Sequence, residues 1–375
     1  MSSNSDVQPA ADVTLAPLCT LGIGGPARWL VRATSRDEVV ACHAWAADRG
    51  VPLFVLGGGS NLVIADEGVN GLVLHIALTG VEVSTSGVDT LITAGAGEAW
   101  DVVVARAVTR GLAGVECLSG IPGTVGGTPI QNVGAYGQEV GHVIESVTAF
   151  DLHEKGMVRL GASECGFAYR MSRFKQADAG RFVVCDVTLR LREGPPTIIY
   201  PDVVDQLARD GINTPDVRQT REAVLTIRRR KGMVIDAADP DTRSVGSFFM
   251  NPVVARASYD RIAAINSHVR VPSYVMQNGD VKIPAAWLIE QSGFAKGHAE
   301  GRVGLSTKHP LALINRGGAT ARDVVTFAAR IKRAVSHRFG VSLRPEPVFV
   351  GFANDADVEF LIDHEGREEL EGDVV

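Results

Sequence analysis

The chain has 375 residues, 45% hydrophobic and 21% charged, and a formal net charge of -6. These values are typical of a globular protein of two or three domains, and the acidic balance argues against binding nucleic acid through a basic face. The first twenty residues lack the basic start and apolar core of a signal peptide, and no apolar run approaches the roughly 20 residues that span a bilayer. We therefore expect a cytoplasmic protein with neither nucleic-acid nor membrane partners.

The five cysteines are scattered and form no C-x-x-C pair, and the nine histidines lack the spacing of metal ligands. A disulfide framework and a metal site are therefore both disfavoured. We expect buried free thiols in a reducing compartment, no metal ion, and a monomeric protein.

The first part of the chain alternates strand and helix patterns up to about residue 76. Ser35 and Glu38 form a capping box that opens a helix, and Gly50 is a typical C-terminal stop for it. Short apolar runs bounded by turn residues predict strands around this helix, as in an α/β unit. The predicted strands are residues 29–33, 52–56, 62–64 and 72–76.

The second part contains a long glycine-rich stretch, residues 119–141, between strand patterns. A helix is predicted over residues 98–110, and a basic helix capped by Thr214 and Pro215 runs to about Lys231. The predicted strands of this part are residues 81–84, 91–94, 143–150 and 181–191.

The third part starts after Gly232 and contains a strong final helix. Thr320 caps this helix, an apolar stripe at helical spacing follows, and Gly340 ends it. The tail from Asn354 is rich in Asp and Glu, so we expect a solvated or poorly ordered extension. The other predicted elements are helices at residues 258–265 and 285–291 and a strand at residues 311–314.

Two glycine-rich loops are the strongest functional signal. GGGSN at residues 57–61 directly follows a predicted strand, and GIPGTVGG occupies residues 120–127. Neither matches a Walker loop or a G-x-G-x-x-G motif that opens a helix, which disfavours a P-loop ATPase and a standard Rossmann dehydrogenase. Glycine permits close backbone approach to a ligand, and successive N–H groups can bind an anion. One such loop would as readily be a structural turn, but two on adjacent units favour a shared, extended cofactor.

Several longer motifs follow one another in the chain between about residues 15 and 352. They are LGIGGPARWL, LGGGSNLVI, SGIPGTVGGTPIQNVGAYGQE, GFAYRMSRFK, GSFFMNPVV, AAWLIEQSG and RPEPVFVG. Together they resemble the UDP-N-acetylenolpyruvoylglucosamine reductase family. The segment IIYPDVV around Tyr200 resembles the tyrosine-loop, or type I, variant of that family.

The resemblance implies a fold that combines α/β and α+β parts. A two-subdomain FAD-binding fold of the PCMH type would be followed by a smaller α+β substrate-binding domain. The implied divisions are residues 1–76 and 77–231 for the FAD-binding subdomains, 232–340 for the substrate-binding domain, 341–352 for a segment carrying a catalytic glutamate, and 353–375 for the acidic tail.

The implied activity is the NADPH-dependent reduction of UDP-N-acetylglucosamine enolpyruvate to UDP-N-acetylmuramate, a step of peptidoglycan precursor synthesis, with FAD as the hydride carrier. The sequence offers no means of choosing a histidine or cysteine for a covalent flavin link, and we assign none. The residues expected near FAD are Gly57, Gly58, Gly59, Ser60, Asn61, Ser119, Gly120, Ile121, Pro122, Gly123, Thr124, Gly126, Gly127, Asn132, Gly134 and Ala135.

Three residues match the catalytic positions of the family: Arg170, Ser247 and Glu346. Arg170 would hold the substrate carboxylate through paired hydrogen bonds, and Ser247 would donate a proton to the enolate. From the residues alone, Arg170 fits a surface salt bridge equally well, and Glu346 fits an exposed loop carboxylate. Ser247 also fits a hydrogen-bonded strand serine, and its apolar neighbours predict that it is buried.

Family resemblance also implies a set of substrate contacts. A basic run such as residues 228–231 equally suits a helix C-terminus, where cations are favoured, and both roles can hold. Met250 stands where a lysine is expected, which removes a positive charge near the site. The expected substrate-binding residues are Tyr200, Arg228, Lys231, Asn251 and Gln291.

Two other functions remain open. Another FAD-dependent oxidoreductase on the same scaffold, acting on a small alcohol, would keep the glycine loops but would not need Ser247, Glu346 and Lys231 together. A non-catalytic flavin-binding protein would bind FAD without being reduced by NADPH. Neither alternative accounts for the motifs that follow residue 232.

Overall fold

The computed structural model of the protein describes residues 7–363. The strands are β1 (Ala10–Thr14), β2 (Pro26–Ala33), β3 (Leu53–Leu56), β4 (Leu62–Ile64), β5 (Val69–Ile76), β6 (Val81–Ser86), β7 (Asp89–Gly95), β8 (Leu112–Ala113), β9 (Gly134–Ala135), β10 (Gln138–Glu139), β11 (Ile144–Asp151), β12 (Gly156–Gly161), β13 (Phe182–Glu193), β14 (Ser244–Ser247), β15 (Val253–Val254), β16 (Tyr274–Val275), β17 (Val281–Lys282), β18 (Ala299–Glu300), β19 (Val303–Leu305), β20 (Ala312–Asn315) and β21 (Val348–Val350). The helices are α1 (Arg36–Asp48), α2 (Trp100–Thr109), α3 (Pro201–Arg209), α4 (Val217–Arg230), α5 (Arg256–Ile265), α6 (Ala285–Gln291), α7 (Ala321–Phe339) and α8 (Ala356–Ile362).

These elements form two compact units. Most of the chain up to Asp236 belongs to the first unit, and the second unit takes over at Ala237. Two short early segments, Leu21–Gly24 and Asn61–Glu67, belong to the second unit, although the chain around them belongs to the first. The GGGSN motif is therefore divided, because Gly57–Ser60 lie in the first unit and Asn61 in the second. The five-part division expected from the sequence stays a prediction.

The first unit contains two main sheets. One has the strand order β1-β2-β5-β3, in which β2, β5 and β3 are parallel and β1 is antiparallel to its neighbour. The other is antiparallel, with the order β12-β11-β13-β7-β6 and with β8 paired to β13. The first sheet is drawn from residues 10–76 and the second from residues 81–193, and the hydrophobic core of the two sheets includes the fully buried Trp100. A separate buried cluster, which includes Val203 and Val224, joins α3 and α4.

The second unit is built around the long helix α7. An antiparallel sheet has the order β14-β20-β19-β18, a smaller one has the order β15-β17-β16, and β21 pairs in parallel with β4. The core of this unit includes Phe248 and Phe249, which are 0% and 1% exposed, and Phe327 of α7. The adjacent Phe248 and Phe249 thus anchor the chain immediately after Ser247.

Local sequence signals placed several elements correctly. Ser35 caps α1 in the predicted capping box with Glu38, because its hydroxyl accepts the Glu38 N–H. Thr320 caps α7 in the same way, and Gly340 ends that helix with a left-handed φ of 64°. Helix α6 covers the residues 285–291 that were predicted for it.

Three expectations need correction. Helix α4 is capped by Asp216, which forms a capping box with Gln219, rather than by Thr214 and Pro215. Helix α3 was not predicted from the sequence, and Pro201 begins it directly after Tyr200, at a position where a proline lacking an N–H is tolerated.

The third correction concerns the acidic tail. The expectation of a solvated extension from Asn354 is wrong for α8, because Val358 and Leu361 are buried at helical spacing. The buried side chain of Lys332 on α7 donates hydrogen bonds to the carbonyls of Phe360, Leu361 and Asp363, at 2.7, 2.9 and 3.1 Å. The rest of the predicted tail, residues 364–375, lies outside the described residues.

Within residues 7–363, no helix is both long and apolar enough to cross a membrane. The same residues contain no group of three or more His, Cys, Asp or Glu side chains that could hold a metal ion. The five cysteines are free and buried, and burial raises the pKa of Cys117 to about 12.

Candidate active site

The two predicted glycine loops are packed directly against each other in the first unit. A Cβ atom at Gly58 would lie 2.7 Å from the Cα atom of Gly123, so no side chain fits at this position. The Ser60 hydroxyl donates a 3.3 Å hydrogen bond to the carbonyl of Pro122, and this bond links the two loops. Gly59 has a φ of 59°, and a Cβ there would collide with the carbonyl oxygen of Leu18 at 2.0 Å. The loops therefore form one glycine-lined cradle.

This cradle fits the diphosphate of a dinucleotide. The Thr124 hydroxyl is buried and has no hydrogen-bond partner within residues 7–363, and a Cβ at Gly57 would fill the space 3.1 Å from it. A buried hydroxyl normally has a partner, and a phosphate oxygen would supply one. The N–H groups of Gly126 and Gly127 instead donate to carbonyls of the protein.

The carboxylate of Asp101 anchors the beginning of the second glycine loop. Its carboxylate accepts a 2.6 Å hydrogen bond from the N–H of Gly120 and a bidentate pair from Arg221 at 2.6 and 2.7 Å. Burial by itself raises the pKa of Asp101, but the hydrogen bonds from Arg221 and Gly120 outweigh it and lower that pKa. Asp101 was not predicted as a site residue, because no local motif marks it.

Gly134 and Ala135 form strand β9 of a tight hairpin with β10. The two loop residues, Tyr136 and Gly137, have φ values of 48° and 85°, which is typical of a type I′ turn. Tyr136 is thereby held with its ring half-buried, and burial is the main cause that raises its pKa.

Asn132, expected near FAD, is 1% exposed and bonded to protein groups on both ends of its amide. Its Nδ2 donates to the Glu139 carboxylate at 2.7 Å and to the Ala168 carbonyl at 3.0 Å. Its Oδ1 accepts the N–H of Gly141 at 2.9 Å. Asn132 therefore connects three backbone segments of the first unit.

Arg170 occupies the turn of a second tight hairpin. The N–H groups of Ala168 and Met171 donate to each other's carbonyls at 3.0 and 2.9 Å, and Arg170 between them has a φ of 56°. A positive φ is unusual for arginine and indicates a conformation that the surrounding structure imposes. The half-buried guanidinium donates from Nη2 to the Gly134 carbonyl at 2.8 Å.

Three of the expected substrate residues come together around Tyr136. Its ring makes an edge contact with the Tyr200 ring at 5.4 Å, and the ammonium of Lys231 lies 5.8 Å from its centre. Lys231 also forms a 2.7 Å ion pair with Asp202. The guanidinium of Arg228 interacts electrostatically with Tyr136, and burial lowers the pKa of Arg228.

Two nitrogens of the Arg228 guanidinium differ in their contacts. Its Nη2 donates to the Met233 carbonyl at 2.8 Å, whereas its buried Nε has no hydrogen-bond partner in the described part of the chain. Tyr136 and Asp202 were missed at the sequence level, although an aromatic residue inside the glycine-rich NVGAYGQE string was a usable signal.

The chain segments that carry Ser247 and Glu346 lie side by side in the second unit. Ser247 ends β14 opposite Ala312, and the next residue, Phe248, accepts the N–H of Glu346 at its carbonyl oxygen at 2.8 Å. The expected burial of Ser247 is wrong, because the residue is only half-buried. Ser247 is therefore more exposed than the two phenylalanines that follow it, Phe248 and Phe249, which are both buried.

Asn61 holds the Glu346 segment from its other side. Its Nδ2 donates to the Glu346 carbonyl at 3.2 Å, and its own carbonyl accepts the N–H of Val348 at 3.0 Å. Met250, at the position expected to be lysine, donates its N–H to the Arg344 carbonyl at 2.9 Å. This backbone bond does not depend on the side chain and is compatible with either residue.

Asn251 and Gln291 lie at opposite ends of α6. The Asn251 Oδ1 accepts the N–H of Ala285 at 2.9 Å, at the beginning of the helix. Gln291 is the last residue of the helix, and its carbonyl accepts a hydrogen bond from Arg338. Seven helical residues separate the two ends by about 10 Å, so these two residues are not adjacent.

Comparison with known proteins places both units in one family. Residues 27–160 match the model described as FAD binding domain, and residues 239–350 match that of the UDP-N-acetylenolpyruvoylglucosamine reductase C-terminal domain. The reductase of this name from Thermobifida fusca is 46% identical over 354 residues, which cover 91% of this chain and 98% of the relative. The one from Salinispora arenicola is 47% identical over 358 residues, which cover 94% and 98%.

A solved structure also indicates the same family. The crystal structure of UDP-N-acetylenolpyruvylglucosamine reductase from Thermus caldophilus aligns with a TM-score of 0.63 at 26% identity. The alignment covers 92% of this chain and 99% of that one. The likeness extends over both units and is not confined to the glycine loops.

Proposed function

The chain belongs to the UDP-N-acetylenolpyruvoylglucosamine reductase family, and from that premise we infer that it reduces UDP-N-acetylglucosamine enolpyruvate to UDP-N-acetylmuramate with NADPH and FAD. Its fold is the PCMH-type FAD-binding fold followed by a smaller α+β domain. The observation that carries the proposal is the backbone bond from Glu346 to Phe248, because it brings the segment of Glu346 alongside the residue that follows Ser247.

The residues that would hold the FAD diphosphate are those of the glycine-lined cradle. The backbone of Gly57–Gly59 and the Thr124 hydroxyl are the donors that we assign to it, since the N–H groups of Gly126 and Gly127 are used within the protein. FAD held there would supply the hydride chemistry that the enolpyruvyl double bond requires, with NADPH as the reductant. The cradle itself contributes binding and orientation.

Arg170 would stabilise the negative charge that develops on the substrate carboxylate during reduction. A guanidinium can form two parallel hydrogen bonds to a carboxylate, and its effect is greatest where water is excluded. Its half-buried position and its fixed hairpin support this role, because a preorganised donor needs no rearrangement when the charge appears.

Ser247 would donate the proton that completes the reduction. A serine is a weak acid, so it can serve only a strongly basic carbon such as that of an enolate in a tuned site. The neighbouring Glu346 carboxylate would orient or resupply the proton. Half-burial of Ser247 supports this role over that of a core hydroxyl, since a proton donor has to reach the substrate.

Lys231, Arg228 and Tyr200 would bind the anionic part of the sugar nucleotide. The support is their assembly around Tyr136 and the buried, unpartnered Nε of Arg228, which a phosphate oxygen could accept from. We keep Asn251 and Gln291 as proposed substrate contacts of the second unit. A monomeric state and a cytoplasmic location also remain proposals, and sedimentation velocity tests the first.

The experiment that tests the function is anaerobic mixing followed by flavin absorbance. Purified protein should bleach at the flavin band with NADPH and regain its colour when UDP-N-acetylglucosamine enolpyruvate is added. Bleaching without recovery would reject this substrate, and recovery with oxygen and a small alcohol would favour another oxidoreductase. A yellow protein that NADPH cannot bleach would indicate a non-catalytic flavin-binding protein.

A further inference from the structure

The hairpin that carries Arg170 is tied at both ends to one short segment, residues 130–132. At its first end, the Ala168 carbonyl accepts the 3.0 Å hydrogen bond from Asn132 Nδ2. Just beyond its other end, the Ser172 hydroxyl donates a 2.5 Å hydrogen bond to the Ile130 carbonyl. Asn132 and Ser172 are 1% and 0% exposed, so neither side chain exchanges its partner for water.

Arg170 itself forms a hydrogen bond to the chain that directly follows residues 130–132. Its Nη2 donates to the Gly134 carbonyl at 2.8 Å, two residues after Asn132. Its φ of 56° is a conformation that a non-glycine residue keeps only where its surroundings impose it. The hydrogen bonds of Asn132 and Ser172 hold the chain on either side of this backbone conformation.

We propose that Asn132 and Ser172 are positioning residues that act on substrate reduction through Arg170, rather than contacts to the cofactor. The proposal rests on the catalytic role of Arg170 in the proposed function. Its physical basis is that a guanidinium must meet the developing carboxylate charge in a set geometry, and a misplacement of about 1 Å can cost on the order of 10²-fold in rate.

Substitutions at the two anchors test the proposal. Ser172→Ala removes one oxygen from a buried site and keeps the fold. Asn132→Gly removes the amide while tolerating the φ of 48° that this residue adopts, which alanine would strain. Ser146→Ala is the matched control, because Ser146 is also buried in the first unit and its hydroxyl accepts a 3.0 Å bond from Arg159.

Each substitution should be made both in the wild-type chain and in Arg170→Gln. In the wild-type chain we expect oxidation of the reduced flavin by substrate to slow at least about tenfold. The NADPH half-reaction and the FAD content should stay near their wild-type values. In Arg170→Gln the same substitutions should have little further effect, because residues that act as one unit are not additive.

Several results would overturn the proposal. Equal slowing in the wild-type and Arg170→Gln chains would show that the anchors do not act through Arg170. Loss of FAD, or equal slowing of the NADPH half-reaction in Ser172→Ala, would assign the hydroxyl to the cofactor region. If an anchor variant reacted with the substrate as fast as Ser146→Ala does, the substituted residue would have no role in positioning Arg170. If wild-type protein itself fails to react with the substrate, the proposed function is rejected instead.

Discussion

The backbone N–H of Glu346 donates a 2.8 Å hydrogen bond to the carbonyl oxygen of Phe248. Because Phe248 is fully buried and follows Ser247 directly, this bond fixes the main chain of Glu346 relative to that of Ser247. The carbonyl of Glu346 is held in turn by the side chain of Asn61. Two flanking prolines and two backbone anchors therefore hold the main chain of Glu346 beside the residue that follows Ser247.

Ser247→Ala should separate the two half-reactions. NADPH reduction of the flavin needs no proton donor to the sugar and should proceed at a near-normal rate. Oxidation by the enolpyruvyl substrate should slow by roughly 10²–10⁴-fold, the usual contribution of a positioned general acid. Rapid mixing measures both steps. A substrate half-reaction within a few-fold of wild type would mean that the proton comes from Glu346 or water.

Lys231→Ala should weaken binding of the sugar nucleotide while leaving FAD content unchanged. A hydrogen bond to a charged group contributes about 1.5–3 kcal/mol, so we expect KM to rise by roughly tenfold or more. Arg229→Ala is the matched control, since it removes an exposed cation from the same end of α4. Steady-state kinetics give the KM of both variants for the sugar nucleotide. An equal rise in KM for Lys231→Ala and Arg229→Ala would indicate only a general effect of positive charge.

Removal of α8 should destabilise the protein. Deleting residues 354–375 exposes the surface that Leu361 covers, and burial of a leucine contributes about 1.5–3 kcal/mol. It also leaves buried Lys332 without its three carbonyl acceptors. We expect a lower Tm than for a chain that ends at Asp363, which retains α8. Thermal unfolding followed by circular dichroism compares them, and equal Tm values would contradict the docking of α8.

Asp151 should make stability depend on acid pH. Hydrogen bonds from Arg181 lower the pKa of Asp151 from 3.8 to about 2. A carboxyl whose pKa is lower in the folded state contributes stability above its unfolded pKa and loses it as pH falls. The loss should therefore occur between about pH 4 and pH 2.

Comparison of the wild-type chain with Asp151→Asn tests this dependence. The Tm of the variant should be lower at pH 6 and should fall less steeply between pH 4 and pH 2. Asp260→Asn serves as the control, because its exposed pair with Arg256 on α5 should contribute little. Parallel Tm curves for the wild type and Asp151→Asn would show that the ion pair with Arg181 does not stabilise the fold.

The sequence by itself determined the features that depend on residues within about four positions of each other. The capping boxes at Ser35 and Thr320 lie where they were predicted, because a cap needs only its own side chain and the next turn of backbone. The motifs also determined the family, since strings such as SGIPGTVGG and GSFFMNP are identifiable without coordinates.

Only the tertiary structure decided which distant residues meet. Asn61 and Glu346 are 285 positions apart, and nothing local to either one predicts their hydrogen bond. Likewise, Lys231 reaches Tyr136 because α4 packs beside the hairpin turn, and Ser247 is half-buried although the adjacent Phe248 is fully buried. Such contacts depend on how sheets and helices pack, and side-chain burial that is fixed by a neighbour across the core leaves no signal in the local sequence.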